Sequence, residues 1–341
     1  MNELVSIIIP AYNAESWIGD TVRSALSQTW PKKEIIIVDD GSTDNTFAIA
    51  KGFESKQVKV VEQKNKGVSA ARNNGLRMAQ GSFIQWLDAD DLLAPDKIMN
   101  QLRSANWGRD IMTLLTSSFG TFYFCAERAK VSPTVLWQNL LPVDWLLNKF
   151  NHNVWMNPAT WLVSRKLTEQ AGPWNEQLVR DTDGEYICRV VAASERVQFV
   201  PEGMSYYRVC NVGSLSKSTS DKAYDSMVLS LSLCIQYLRS LEESERVHAA
   251  CATCLQRNLI EFYPEKPDLV KQLQRMAADL GGHLITPKLS WKYSLMRALF
   301  GWQLARRAQL FMRKSKVRWS ITRSIDKTLF VIEQRRRQSQ C

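Results

Sequence analysis

Four short runs of mostly β-branched residues alternate with helical patterns before residue 90: Leu4 to Ile9, Glu34 to Asp39, Val58 to Glu62 and Ser82 to Leu87. These runs are too apolar to be half-exposed, as expected of strands covered on both faces. Helical stretches fill the gaps, from Glu15 to Gln28, Asp44 to Glu54 and Gly67 to Gln80. The alternation predicts an α/β fold with a mostly parallel sheet flanked by helices and joined by right-handed crossovers. In such sheets the ligand crevice lies outside the carboxyl ends of the strands. The segments that follow the four runs are polar and turn-forming: "PAYNAE", "DDGSTDNT", "NKGVSAARNNG" and "DADD". Four strand ends therefore converge on one rim.

The chemistry of that rim is acidic. Asp88, Asp90 and Asp91 fall within four positions, and carboxylates so close repel unless a cation joins them. Hard oxygen ligands of this kind suit Mg²⁺ or Mn²⁺ held together with substrate phosphates. The plainer alternative is a solvated loop in which Asp91 or Asp96 caps the following helix. Asp39 and Asp40 also end a buried run; Gly41 permits a tight turn, and Ser42 or Asp44 can cap the next helix. Asp40 suits hydrogen bonding to a base or ribose edge, and Arg72 brings a cation near the rim. No G-x-x-x-x-G-K-[ST], no G-x-G-x-x-G after the first run and no G-x-S-x-G is present. P-loop, dinucleotide and nucleophile-elbow chemistry are thereby set aside, leaving an acid-lined, metal-assisted nucleotide site.

Beyond Arg109 the pattern loosens. "DIMTLLTSSFG" and "TFYFCAE" suggest strands, paired as a hairpin through Gly120. "PVDWLLNKF" suggests a helix starting at Pro142, and "ATWLVS" a further strand. A helix is expected from about Asp181, where Asp181 or Thr182 could cap it. "VQFVP" and "MSYYRV" follow as two short strands. From Asp221 the chain turns helical, with breaks at Pro264, Pro267 and Gly281. Charge divides the chain as well. From Thr286 to Cys341 there are 14 Lys or Arg against 2 acids, leaving 30 against 32 before it, within a total of +10. A basic tail of this kind suggests an anionic surface as partner.

The seven cysteines are odd in number and scattered, which suits a reducing cytosol better than a disulfide framework. The C-x-x-C at Cys251 and Cys254 has no second pair and lacks a redox context, so core or neutral cysteines are expected there. The start of the chain lacks a basic n-region and a long apolar h-region, an expectation against secretion. No apolar window of about 18 residues is free of charge, so no spanning helix is expected.

"VSIIIPAYNAESWIGDTVRSALSQTWPKKEIIIVDDGSTDNT", "GVSAARNNGL", "GSFIQWLDADD" and "AGPWNEQLVRDTDGEYICRV", in this order and spacing, resemble the family 2 inverting glycosyltransferases of the GT-A fold. The likeness covers about residues 4 to 218. It implies a catalytic domain over 1–220, a Rossmann-like nucleotide-diphospho-sugar transferase fold, followed by a helical, basic region over 221–341. It also implies that Pro10, Ala11, Tyr12 and Asn13 lie against the nucleotide. Asp40 would bond the base, Arg72 would sit near the donor, and in the D-x-D motif Asp88 would face the ribose while Asp90 ligates Mn²⁺ or Mg²⁺. Asp91 would be a supporting or capping acid. The family's base is the acid of an E-D pair before a helix, and this position reads Thr182-Asp183. Asp183 is thus the candidate base, with Asp181 a second candidate and Thr182 a departure. Cys210 is another, standing where related sequences often have His after "Y-R-x". The loop Asn211 to Ser220 is expected either to fold over the donor or to serve as a linker.

The implied activity is transfer of a sugar from a nucleotide-diphosphate donor to a glycan, lipid-linked or other hydroxyl acceptor. Nucleotidyl transfer to a sugar phosphate would need a glycine-rich triphosphate loop after the first run, which "PAYNAE" is not. A non-catalytic nucleotide-sugar-binding module would bind without turnover. Trp137, Trp145, Trp155, Trp161 and Trp174 crowd the middle of the chain. Core packing is expected for most, and Trp174, in the turn after Pro173, is the candidate for an acceptor contact. In the tail, Trp291, Leu295, Leu299 and Trp302 share one helix face with Arg306 and Arg313. That mixture suits either an interfacial helix on the cytoplasmic side of a membrane or a helix packed on the catalytic domain. No nucleic-acid module accompanies the charge, so no nucleic-acid partner is expected.

Overall fold

The computed structural model describes residues 3–104, 111–209, 218–287, 289, 293–314 and 327–328. The Cys210 and Asn211–Lys217 expectations lie outside the described residues, as do Trp291, the side chain of Arg313 and most of the basic end. Two compact units form, one from 1–122 and 129–247 and a second from 123–128 and 248–341.

The first unit opens as the alternation predicts. β1 (Val5–Ala11), α1 (Ile18–Leu26), β2 (Lys33–Asp39), α2 (Thr46–Lys51), β3 (Val58–Glu62), α3 (Val68–Met78) and β4 (Phe83–Trp86) follow in order. β1 pairs in parallel with both β2 and β4, and β2 with β3. The helices crossing between them are shorter than their sequence patterns. α1 begins at Ile18 because the chain first turns through Asn13, held at φ 47°, and Trp17 donates to the Ala14 carbonyl. β1 is buried along its full length, which explains the uninterrupted apolar run.

The second half of the sheet is mixed. It comprises β5 (Leu92–Leu93), α4 (Lys97–Ser104), β6 (Thr113–Phe122), β7 (Lys130–Val131), α5 (Pro142–His152), β8 (Leu162–Ser164), α6 (Arg165–Ala171), α7 (Thr182–Ala193) and β9 (Arg196–Arg208). The strand order is β3-β2-β1-β4-β8-β6-β9-β5, with β7 on β6. β8 runs antiparallel to β4, while β6 and β9 run parallel to each other. The hairpin expected at Gly120 is corrected here: β6 passes straight through Gly120, where only a hydrogen at the α-carbon lets Ala129 approach. The two short strands expected after α7 are likewise one strand, β9, whose irregular pairing opposite Ser117 and Phe119 absorbs Pro201 and Gly203.

α8 (Asp221–Leu241) also belongs to the first unit, which therefore continues past residue 220. Its polar face holds the segment before α7. Ser226 Oγ accepts from the Val179 and Arg180 amides at 3.0 Å each, and Tyr237 donates to Glu185 Oε1 at 2.9 Å.

The second unit carries α9 (Glu245–Phe262), α10 (Pro267–Ala278) and α11 (Ser294–Lys314), with α9 entering it from the first. Cys251 is fully buried in α9 and no disulfide joins it to Cys254, as expected of core cysteines. Gly301 breaks α11 with φ 80° and ψ 172°. The stripe expected to run from Leu295 to Arg306 is split there. Trp302 packs edge-on against Tyr263 at 5.0 Å, and Arg306 is buried near Glu261 and Gln309. Leu295, Leu299 and Phe300 on the other side of the break are exposed. No helix among the described residues is long and apolar enough to cross a membrane.

Candidate active site

The carboxyl ends of β1, β2 and β4 place their loops together, and β9 ends beside them. Asp40 follows β2, and its amide donates to the Ala11 carbonyl at 2.8 Å. Its carboxylate is buried and engaged on both oxygens. Oδ1 accepts from Gln63 Nε2 at 2.8 Å and the Lys66 amide at 2.9 Å, and Oδ2 from the Gly67 amide at 2.8 Å. Asp40 thus fastens the entry of α3 to the end of β2. Gly41, at φ 72°, packs so close to the Asn65 amide that a β-carbon would meet it at 2.9 Å. Only glycine suits both demands.

Of the Pro10 to Asn13 stretch, Pro10 and Ala11 are buried at the end of β1. Tyr12 is 52% exposed. Asn13 is exposed too, with its Oδ1 accepting from the Thr43 amide at 2.8 Å and its own amide donating to Ser42 Oγ at 2.9 Å. Asp44 accepts from the Thr46 amide at 2.9 Å, an anchor for the first turn of α2.

The three clustered acids have separate fates. Asp88 Oδ1 accepts from Arg72 Nη2 at 2.7 Å. Asp91 is fully buried and does not cap α4: its Oδ1 accepts from the Arg208 amide at 2.8 Å and its Oδ2 faces Asn157 Nδ2 at 3.5 Å. Arg208 Nε donates to the Asp90 carbonyl at 2.8 Å, while its guanidinium lies over the rings of Trp17 and Phe122 at 4.3 and 4.4 Å. Asp90 is half-buried. Burial raises the pKa of Asp91 well above the usual carboxylate range, with the Asp90 and Asp88 charges adding to it. Burial also raises Asp88, opposed by Arg72 and assisted by Asp183. Repulsion among the acids is therefore met first by groups of the protein, a solution invisible in the D-A-D-D spacing.

Arg72 is the centre of the arrangement. It is 2% exposed, and besides Asp88 its Nη1 donates to Asp183 Oδ1 at 2.7 Å. The guanidinium stacks 4.0 Å over Trp174. Arg72 is near the rim as expected, but its two Nη groups are aimed at carboxylates. Trp174 is correspondingly buried, stacked on Tyr186 at 3.8 Å and edge-on to Trp86 at 5.3 Å. The acceptor role expected for Trp174 is thus corrected: it is the floor beneath Arg72. Its backbone is held by Asn73, whose Oδ1 accepts from the Trp174 amide at 2.8 Å and whose Nδ2 donates to the Trp174 carbonyl at 2.9 Å.

Asp183 opens the first turn of α7 with its side chain 43% exposed. Thr182 Oγ1 donates to the same Oδ1 at 3.2 Å. Asp181 has a different environment. It stands at the N-cap in the left-handed region, φ 59°, without capping the helix, and its Oδ2 accepts from Ser230 of α8 at 2.6 Å. Asp183, not Asp181, is joined to Arg72 and Asp88. Tyr207 near the end of β9 also borders the acids. Its phenol is held above its usual range by burial and then by Asp91, Asp90, Asp88 and Asp183. The sequence reading missed it, and the aromatic "SYYR" was the available signal.

Residues 6–160 match the family model described as glycosyl transferase family 2. Glycosyltransferase GlyG of Streptococcus pneumoniae is 28% identical over 66% of this chain and 76% of its own length. WfaP of Escherichia coli, named a UDP-Glc:alpha-D-GlcNAc-diphosphoundecaprenol beta-1,3-glucosyltransferase, is 46% identical over 29% of this chain and 40% of itself. This chain thus spans about three quarters of one such relative and less than half of the other. Residues 1–349 of S. aureus TarS share the fold, with a TM-score of 0.60 at 19% identity, covering 81% of this chain and 79% of that one. The same TarS region in complex with UDP-GlcNAc gives 0.59 at 18% identity, over 84% and 95%. Residues 6–160 thus resemble glycosyl transferase family 2 in sequence, and the chain shares the GT-A scaffold of TarS.

Proposed function

We propose that this glycosyltransferase moves one sugar from a nucleotide-diphosphate donor to a hydroxyl of a glycan or lipid-linked saccharide, with inversion. The observation that carries the reading is the Asp88–Arg72–Asp183 bridge, which ties an acid at the end of β4 to an acid at the start of α7. Both named contacts to Asp183 engage Oδ1, so Oδ2 is the oxygen assigned to take the acceptor proton. The acceptor oxygen forms a bond to the anomeric carbon as the carbon–oxygen bond to the diphosphate breaks, and the departing oxygen keeps the electron pair. A single in-line displacement inverts the centre. Arg72 holds the base in one rotamer, a positioning role.

Tyr12 and Asn13 are assigned to the nucleotide. Asp40 organises the loop against which a base would lie, and Asp88 faces the ribose. A divalent cation fits this donor set in one way. Among the described residues no three His, Cys, Asp or Glu side chains are grouped to hold a metal by themselves. Asp88 is committed to Arg72 and Asp91 to the Arg208 amide. Asp90 would therefore hold Mn²⁺ or Mg²⁺ together with donor phosphates and water, as hard cations at phosphate sites are commonly held. When bound, the cation would offset charge developing on the diphosphate. Catalysis is assigned to the expected 1–220 region extended through α8, and docking to the helical, basic region that follows. The exposed Leu295, Leu299 and Phe300 beside Arg297 and Arg307 support contact with an anionic membrane surface from its cytoplasmic side.

UDP sugars such as UDP-glucose and UDP-GlcNAc are the first donors to test, since TarS has been crystallised with UDP-GlcNAc and WfaP is named for UDP-Glc. Nucleotide release with acceptor should fall about 100-fold or more in Asp183→Asn, the usual size of general-base catalysis, with donor binding retained. Equal turnover in this variant would reject Asp183 as base.

A further inference from the structure

Outside the acid rim, one exposed aromatic has a placement that the reaction above does not use. Trp155, between α5 and β8, is 46% exposed. Its ring meets Tyr207 edge-on at 5.1 Å and Phe119 at 5.4 Å. Phe119 lies in turn against Trp137 at 5.8 Å, and Trp137 stacks on Phe199 at 5.6 Å. An indole supported from behind by a row of rings is fixed in orientation while one part of it stays in water. Tyr207, the ring it touches, immediately precedes Arg208, whose amide donates to Asp91 Oδ1 and whose Nε donates to the Asp90 carbonyl, at 2.8 Å each.

The strand order gives this placement a meaning. β4, which ends in the acids, lies between β1 on one side and β8, β6 and β9 on the other. Among the described residues of the sheet-bearing unit, the exposed large aromatics are Tyr12 and Trp155. In strand order they fall on opposite sides of β4, Tyr12 directly after β1 and Trp155 against Phe119 of β6 and Tyr207 of β9. With the nucleotide on the Tyr12 side and the diphosphate at β4, the Trp155 side is left for the molecule that attacks the anomeric carbon.

We infer that Trp155, backed by Tyr207 and Phe119, is the acceptor-side platform, stacking against the C–H face of a hexopyranose ring and setting acceptor specificity. This rests on the donor orientation proposed above. The face of an indole carries negative quadrupole charge and attracts the polarised C–H bonds of a sugar, whose other edge keeps its hydroxyls in water. A flat, rigid ring orders few of its own torsions on binding. Trp155 touches the acceptor without exchanging a proton, so its effect belongs in binding.

The test uses the full chain and its Trp155→Ala and Trp155→Phe variants, with nucleotide release from UDP-glucose and UDP-GlcNAc as the readout. Release is measured with water as acceptor and with the methyl β-glycosides of glucose, galactose and N-acetylglucosamine. The expected result for Trp155→Ala is an acceptor KM raised about tenfold, the scale of one good aromatic contact. Donor KM and the water reaction should stay within about twofold of wild type, and Trp155→Phe should recover most of the loss. An unchanged acceptor KM, or a parallel loss in donor KM and the water reaction, overturns the platform. Where no glycoside stimulates release, saturation transfer from protein to glycoside C–H protons reads the same contact. Loss of that signal in Trp155→Ala supports it, and equal or absent signals in both proteins overturn it. A wild-type chain that releases nucleotide from neither donor overturns the proposed function on those donors, and the platform falls with it. An active wild type with an indifferent Trp155→Ala overturns the platform alone.

Discussion

Replacing Arg72 with lysine keeps one positive charge and removes the planar fork. In the structure that fork makes two 2.7 Å contacts, one to Asp88 and one to Asp183, and lies 4.0 Å above Trp174. A lysine ammonium is a point charge and could not hold both acids while covering the indole. A hydrogen bond to a charged group contributes about 1.5–3 kcal/mol when sheltered. The Asp183 side chain is 43% exposed, so solvent screening reduces its share to about 0.5–1 kcal/mol. Loss of stacking adds about 1 kcal/mol. If the lysine retains the better-sheltered Asp88, the net destabilisation is about 1.5–2 kcal/mol. Urea unfolding should show it as a lower midpoint with an unchanged slope. Turnover should fall further than stability suggests, by about 100-fold, because an unheld carboxylate loses its alignment with the acceptor. Donor KM should hardly move. A variant with wild-type midpoint and turnover would refute the bridge. One with normal turnover and a greatly raised donor KM would show Arg72 acting on donor phosphates instead.

Three further outcomes are expected. Asp181→Asn should retain most turnover, since Asp181 bonds Ser230 and not Arg72; a loss matching that of Asp183→Asn would move the base to Asp181. Lys97 is fully buried beside Gln85, and burial lowers its pKa well below the ordinary lysine value. Its unfolded form binds the proton more tightly, so between the native pKa and about 10.4 stability should rise with pH, by up to about 1.4 kcal/mol per unit. Lys97→Met should abolish that rise in pH-dependent unfolding, and an identical slope would contradict it. Finally, Leu299→Glu with Phe300→Glu should release the chain from phosphatidylglycerol vesicles in a flotation assay without changing turnover on a soluble acceptor. Equal flotation would separate α11 from membrane contact.

The sequence exposes what is local and periodic. β1 to β4 follow directly from apolar runs and turn residues, and the acids after β4 declare a polar site because nothing in a buried strand end calls for them. What it conceals is made by distant partners. Arg72 meets Asp88 across 16 positions and Asp183 across 111, and no spacing rule links them. Trp174 was misread because a tryptophan in a polar turn looks exposed until α7 supplies Tyr186 beneath it. Gly120 resembled a turn signal, yet it serves a close approach between neighbouring chain segments within an unbroken strand. Asp181 and Asp183 differ in surroundings through α8, whose Ser230 engages one and leaves the other to the rim.

α3 has a consequence for how such a site can be altered. Asp40 grips its first amide, Arg72 in its middle sets two acids, and Asn73 fixes the Trp174 turn. Gly75 seats the same helix on β1 so closely that a β-carbon would meet Ile8 at 2.5 Å. One rigid rod thus serves as the common ruler for loops drawn from three distant parts of the chain. A shift of that rod would misalign the loops after β2 and β4 and the start of α7 together, whereas Tyr12 and Trp155 stand off it. Under the proposed function, new donors or acceptors are most readily accommodated by substitutions at those two exposed rings, with the ruler left untouched.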